Sequence, residues 1–471
     1  MDRVFSASAM LGFPFWVAMI VAPRWRVTRR VLASPLVVLG SVLLYASLVL
    51  PALGTVLPVV ARPTLATVMA LLNQPVAATA AWAHFLAFDL FVGRWIYLDA
   101  LERKVPLPWL AVAPTLVLTL LLGPLGLGAY LLLRTVNWSR LGGATRALWA
   151  ASGPLTSIGL ASLGLLLASL VLQEVDHRAV LGVSTWVKPA KFAASVAAAA
   201  FTLAWMLGQF DAPSRGLRRA AAVMSGMAAL ELAIITVQAA RGVPSHFNAR
   251  TALDALAFAV MGAGITIFWL AQGYLFVRAL RHRFADGAVG WGIRLGLGIA
   301  LAGGAVAFLM TRPTPAQLDT LKAGRPSPAV GAHAVGVPDG GAGLPVTRWS
   351  TEGGDLRVPH FIGLHALQLV PLAGVMFARR RRRAVERGAD PQQATARANT
   401  LTIAVGASTF GLVVVTLVQA LRAQPLLAPD GATLFLAVLA MAPLAIVSAT
   451  LSLMARPLAK KPELVLRDFA R

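Results

Sequence analysis

Residues 359–383 read PHFIGLHALQLVPLAGVMFARRRRR. The first twenty residues of that stretch are nearly all apolar. At about 1.5 Å per residue they cover the roughly 30 Å hydrocarbon core of a bilayer. Arg379 to Arg383 follow at once. A basic cluster straight behind an apolar run marks the cytoplasmic end of a membrane helix. Comparable spans lie near 6–23, 34–53, 79–98, 108–133, 147–172, 189–208, 219–239, 252–280, 291–310, 400–421 and 432–455. A weaker one at 55–75 is interrupted by Pro58, Arg62 and Pro63, which suggests a broken or re-entrant helix. The expected fold is all-α: a polytopic transmembrane bundle of about 12–13 helices.

Composition agrees. The 471 residues are 58% hydrophobic and 13% charged, about half the charge of a soluble domain. The net charge of +23 does not indicate nucleic acid, because the basic residues fall in short clusters between apolar spans. The expected partners are membrane lipids and a hydrophobic small molecule. The absence of cysteine excludes disulfides, thiolate metal sites and thiol catalysis. Arg24, Arg26, Arg29 and Arg30 follow the first apolar run, the reverse of a cleavable signal. The expectation is a multi-pass protein of a bacterial inner membrane.

Basic loops around Arg215–Arg219, Arg278–Arg294 and Arg379–Arg383, with Lys460 and Lys461, orient the later helices. Loops near 173–188, 240–251, 311–358 and 422–431 then face outward. For the N-terminal part, counting 55–75 as a crossing puts the N-terminus outside. Five of the seven histidines lie in or beside the first three outer loops: His177, His246, His333, His360 and His365. The Gly/Pro-rich loop 311–358 ends in the polar run from Trp349 through Asp355 to His360, and reads as a cover over an outer-face site. Its run Gly331 to Gly343 lacks the strand and helix that a phosphate loop needs, so nucleotide binding is excluded.

Under that loop the candidate contacts are Lys188, Lys191, Glu231, Gln238, Arg241, His246, Trp349, Asp355, His360, His365 and Gln368. An unpaired carboxylate at Glu231 is costly at membrane depth, so an ion pair with Lys191 is expected. Thr251 or Asn248 can cap the helix that follows His246. His360 and His365 are five residues apart, a poor spacing for a metal pair, whereas His365 and Gln368 share a face. No metal site is expected, and no spacing specifies a cofactor. His246, His360, His365 and Glu231 suit acid–base work. Equally, these residues could do no more than pin the loop to the helix ends.

The run Trp82-Ala-His84-Phe-Leu-Ala-Phe-Asp89-Leu-Phe-Val-Gly93-Arg94-Trp95-Ile-Tyr-Leu-Asp99 places polar residues at regular intervals in an apolar helix. Pro14-Phe-Trp16, Ala22-Pro23-Arg24-Trp25 and Gly123-Pro124-Leu125-Gly126 accompany it. Together they resemble the neoxanthin synthase-like, abscisic-acid-deficient family of integral membrane proteins, over about residues 1–135. In plants that family is tied to an epoxide rearrangement on a carotenoid. The resemblance implies a membrane-embedded module, 1–140, that handles isoprenoids. Residues 141–471 then form a second bundle of about eight helices. His84, Asp89 and Arg94 are either an ion-pair lock between helices, with Asp89 meeting Arg94, or a ligand and catalytic cluster.

The functional expectation is an isomerase-like enzyme that rearranges an isoprenoid, carotenoid or lipid by acid–base chemistry at the outer face. One alternative is a non-enzymatic lipid or pigment carrier or transporter. Another is a redox protein carrying haem or quinone.

Overall fold

A computed structural model describes residues 1–103, 108–136 and 138–454. The expectation for Lys460 and Lys461 lies outside the described residues. The chain divides into two compact units, Met1–Arg146 and Ala147–Arg471. Among the described residues eleven helices are long and apolar enough to cross a membrane. The fold is an all-α polytopic bundle, and the chain is a multi-pass membrane protein.

The first unit starts with α1 (Asp2–Val21), α2 (Arg26–Ala33), α3 (Leu39–Val49) and α4 (Leu53–Ala61). Residues 35–61 form one continuous candidate span made of α3, α4 and short 3-10 turns. The segment 55–75 is therefore no separate crossing. Its first half completes that span. Its second half is α5 (Leu65–Leu72), eight residues long and too short to cross. The break falls at Arg62–Thr64, beside Pro63, and Thr64 caps α5.

The long α6 (Pro75–Glu102) is the axis of the unit. The expected span 108–133 is instead broken into α7 (Pro108–Leu122) and α8 (Pro124–Arg134). Gly123 sits at the break with φ +44°, a conformation that disfavours side chains. The chain turns sharply there: a Cβ on Gly126 would lie 2.2 Å from the backbone nitrogen of Thr119. Trp16, Leu90, Ile96, Tyr97, Leu116 and Tyr130 form the buried core. α9 (Trp138–Ala151) carries the boundary between the two units.

The second unit holds α10 (Gly153–Val175), α11 (Val187–Leu207), α12 (Arg215–Ala240), α13 (Ala252–Arg281), α14 (Gly287–Ala305) and the short α15 (Ala307–Met310). After the long loop come α17 (Arg357–Glu386), α18 (Pro391–Leu421) and α19 (Gly431–Met454), with α16 (Pro315–Lys322) inside the loop. α17 does not stop at its arginines but runs on through them. Arg381 pairs with Asp286 at 2.9 Å across to the start of α14. α14 and α17 approach through glycines. A Cβ on Gly303 would lie 2.5 Å from the Cα of Gly363, and one on Gly292 2.9 Å from the Cα of Pro371. Small residues at such crossings let backbones touch, which is how helices pack where no hydrophobic force acts between them.

The loop 311–356 is built rather than loose. Thr314 and Gln317 form a capping box on α16, and Gln317 also bonds the backbone of Gly331 in both directions. β1 (Ala334–Val335) pairs antiparallel with β2 (Gly354–Asp355). Asp339 accepts hydrogen bonds from the His333 and Ala334 amides and from His333 Nδ1. Main-chain bonds tie the loop to the α12–α13 connection: Ala249 N–H donates to Pro328, and Val330 N–H donates to Phe247.

Gly303→Val should destabilise the second unit by about 1–3 kcal/mol, the usual cost of overpacking. Gly226 faces open space, and Gly226→Ala should be neutral or stabilising. Thermal unfolding in detergent, read by loss of the monodisperse peak, checks both. A Gly303→Val midpoint equal to wild type would contradict the close crossing.

Candidate functional site

Three elements of the second unit bring one titratable side chain each to a common point. Lys188 stands in the first turn of α11, Glu231 in the second half of α12, and His246 in the α12–α13 connection. Lys188 Nζ lies 3.0 Å from His246 Nδ1. His246 Nε2 lies 3.5 Å from Glu231 Oε1, long for a hydrogen bond but close enough to tighten. Ser245 Oγ is 3.1 Å from the same Nδ1.

Burial, with the charge of Lys188 added, holds the His246 imidazole well below the usual histidine range. The ring is therefore neutral at pH 7, and its contact with Glu231 is a hydrogen bond rather than an ion pair. The contacts fix the tautomer: Nδ1 accepts from the lysine, and Nε2–H points at the carboxylate. Amine, imidazole and carboxylate form a line along which a proton can pass.

Phe192, Phe258 and Phe247 surround the imidazole, with ring centroids 5.5, 6.3 and 6.3 Å away. The Lys188 ammonium also lies over the Phe192 ring. His246 is crowded by neighbouring atoms yet keeps 24% of its side-chain surface accessible. Lys188 and His360 are likewise only partly covered. Partly exposed polar side chains thus meet beside apolar ring faces, a combination that small-molecule sites use.

His360 borders this point from α17. Its Nδ1 donates to the Gly303 carbonyl at 2.8 Å, where α14 gives way to α15. His333 closes over it from the loop, stacked edge-on against Phe247 at 4.8 Å.

The remaining candidates fall into separate groups. Lys191 does not meet Glu231. Its Nζ donates to the Val346 carbonyl in the loop, and Lys188, one turn earlier, takes the place expected for it. The reason is the path of the loop: Val346 adopts φ +64° and turns its carbonyl toward α11. Gln238 shares the buried face of α12 with Glu231 but works elsewhere. It donates to Asp254 at 3.0 Å, and Arg241 bridges both residues. Thr251 is the cap of α13, hydrogen-bonded to Asp254. Asp355 is buried, paired with Arg357 at 2.6 Å and accepting from the Ser350 amide. His365 Nδ1 meets Gln368 Oε1 at 3.2 Å, and Phe361 lies between His365 and Trp349. No hydrogen bond among the described residues joins that group to His246. No group of three or more His, Cys, Asp or Glu able to hold a metal occurs among the described residues.

In the first unit the polar residues of α6 are placed apart. His84 is exposed and stacks on Phe88 at 4.7 Å. Arg94 does not reach Asp89. Its guanidinium donates to the Leu32 and Ala33 carbonyls at 2.7 Å, closing the C-terminus of α2. Asp89 instead lies against the helix break, with Oδ1 2.8 Å from where a Gly123 Cβ would stand. Asp99 accepts from Arg103, Tyr130 and Arg134. Tyr97 donates to the Pro23 carbonyl, and Trp16 fills the space over Gly93.

Residues 3–130 match the ABA DEFICIENT 4-like family. Over 110 residues the chain is 26% identical to the Arabidopsis thaliana protein ABA DEFICIENT 4, chloroplastic. That match covers 22% of this chain and half the length of the relative. The partial resemblance therefore coincides with the first unit. The relative's chloroplast location lends no support to the bacterial inner membrane expected from sequence. No solved structure matches.

Within the loop, the Asp339 carboxyl is opposed by burial but carried down to about 2 by the His333 side chain and the His333 and Ala334 amides. A depressed carboxyl contributes stability above its unfolded value and loses it as pH falls through about 2. Asp339→Asn should remove on the order of 1 kcal/mol of local stability, discounted for partial exposure. At pH 7 the His333 and Ala334 amides should exchange with solvent about three- to tenfold faster in Asp339→Asn than in wild type. The difference should shrink as pH nears 2. Equal protection at pH 7 would show that Asp339 does not hold the loop.

Proposed function

We propose that the protein is a membrane-embedded enzyme that rearranges a hydrophobic isoprenoid or lipid by proton transfer. The reaction centre is the Lys188–His246–Glu231 line, on the outward-facing side of the second unit. The observation that carries this reading is the neutral His246 imidazole held between an amine and a carboxylate against aromatic rings. An imidazole so placed takes a proton from one carbon of a substrate and returns it to another. Glu231 or Lys188 levels the charge meanwhile.

The polar groups converge beside a cluster of phenylalanine rings, which suits an amphiphile with one oxygenated end. His360, fixed through Nδ1, leaves Nε2 free to accept a hydrogen bond from that end. The resemblance of the first unit to ABA DEFICIENT 4-like proteins supports an isoprenoid as the substrate class. Asp355, Arg357 and the Gln238–Arg241–Asp254 group act as supports that hold the helix ends and loop around the centre.

Transfer through a protein base that exchanges with water leaves a label. In deuterium oxide, purified protein in lipid nanodiscs given carotenoid epoxides and total isoprenoid extracts should place solvent deuterium into one lipid species, read by mass spectrometry. His246→Ala should lower that incorporation about a hundredfold or more, the usual contribution of a general base. His365→Ala, outside the line, should retain most of it. Incorporation unaffected by His246→Ala would remove His246 from the reaction.

A further inference from the structure

We infer that Lys188 captures its ligand covalently, forming an imine with an aldehyde or ketone at the end of a hydrophobic isoprenoid chain. This rests on reading the Lys188–His246–Glu231 line as ligand-facing and names the substrate class for it.

The first argument is residue choice. The chain has 42 basic residues, of which only six are lysine. Arginine serves nearly everywhere that charge is needed. A guanidinium opposite Glu231 would pair with the carboxylate at two points, and it never gives up its proton. Lysine alone offers a neutral amine, and the chain uses one among His246, Phe192 and Glu231. Lys191, one turn away on the same helix, is a natural comparison: it is exposed and committed to the Val346 carbonyl.

The second argument is geometry. Lys188 Nζ abuts the acceptor nitrogen of an imidazole, and the other imidazole nitrogen faces a carboxylate. Arg357, although paired with Asp355, lies within electrostatic reach of Lys188, and the first turn of α11 presents helix N–H groups that repel another cation. A lysine held beside apolar rings with cationic groups in reach is an arrangement that favours an amine nucleophile.

The chemistry balances without an oxidant or reductant. The ammonium gives a proton to His246 Nδ1 while the Nε2 proton moves to Glu231. The freed lone pair attacks the carbonyl carbon, the carbonyl π electrons move to oxygen, and a proton passes from the now cationic nitrogen to that oxygen to give a carbinolamine. A second proton, returned along the same line, lets that oxygen leave as water as the C=N bond forms. The product is a protonated imine with Glu231 as its counter-charge. Such an iminium draws electrons from a conjugated chain and acidifies its C–H bonds, so covalent capture and proton transfer belong to one site. Phe192, Phe247 and Phe258 supply the apolar wall for the chain.

The test uses the full chain in nanodiscs with farnesal, an isoprenoid aldehyde, and cyanoborohydride at pH 7. Reduction fixes any imine as a stable secondary amine, located by peptide mass mapping. The expected result is a single adduct per chain on Lys188, at least about tenfold over Lys191 and Lys322. Lys188→Arg, still monodisperse on size exclusion, should lose it. In His246→Ala the adduct should form about tenfold more slowly or worse, with Lys188 still the site. Label spread evenly over the lysines, or a rate unchanged in His246→Ala, overturns the inference. Solvent deuterium incorporation with no Lys188 adduct also overturns it and leaves the proton-transfer reading standing. An adduct with no incorporation does the reverse.

Discussion

Where Gly303 and Gly363 touch, neither residue has a side chain to keep the α14 and α17 backbones apart. A Cβ on either would stand 2.4–2.5 Å from the Cα of the other. In hydrocarbon, with no water to squeeze out, such contacts are the main way two helices can hold one another. The position of the site follows from this crossing. It sets His360 at hydrogen-bonding distance from the Gly303 carbonyl. It also fixes the start of α17, and thereby β2, whose Gly354 lies so near the Ala420 carbonyl that a Cβ there would come within 2.0 Å. The loop over the site thus hangs from the ends of α14, α17 and α18, and its height is decided by glycines inside the bundle.

The fold was legible because the bilayer leaves so few choices. Apolar runs of helix length with arginines behind them can be little else. Helix breaks were harder. Pro63 announced one, whereas Gly123-Pro124 lies in a run whose hydropathy never dips and was read through, because hydropathy does not register a positive φ. Of the site, the residue types were readable and the pairings were not. Glu231, His246 and His360 stood out as polar groups at helix ends. The choice between Lys188 and Lys191 as the neighbour of Glu231 depended on where the Val346 carbonyl pointed, and that is set by a loop more than 150 residues away in sequence. Asp339 looked like part of a glycine-rich run, although its carboxylate organises one end of the loop.

The first unit shows why its sequence signature is so regular. Its quoted residues touch one another: Trp16 on Gly93, Tyr97 on the Pro23 carbonyl, Asp89 on Gly123, and Arg94 on the last carbonyls of α2. Three of these pairs place a polar group against backbone rather than against another side chain. Backbone at a break or helix end is the polar surface such a unit must satisfy internally.

The loop of the second unit is joined to the α12–α13 connection through main-chain atoms, at Ala249 with Pro328 and at Val330 with Phe247. Such bonds are indifferent to which side chains the residues carry. The seat of the loop and the chemistry beneath it are consequently separate inheritances. Substitutions at Phe192, Phe258 or Lys188 leave those main-chain bonds in place. Side chains around the α12–α13 connection can therefore change while the loop keeps its seat.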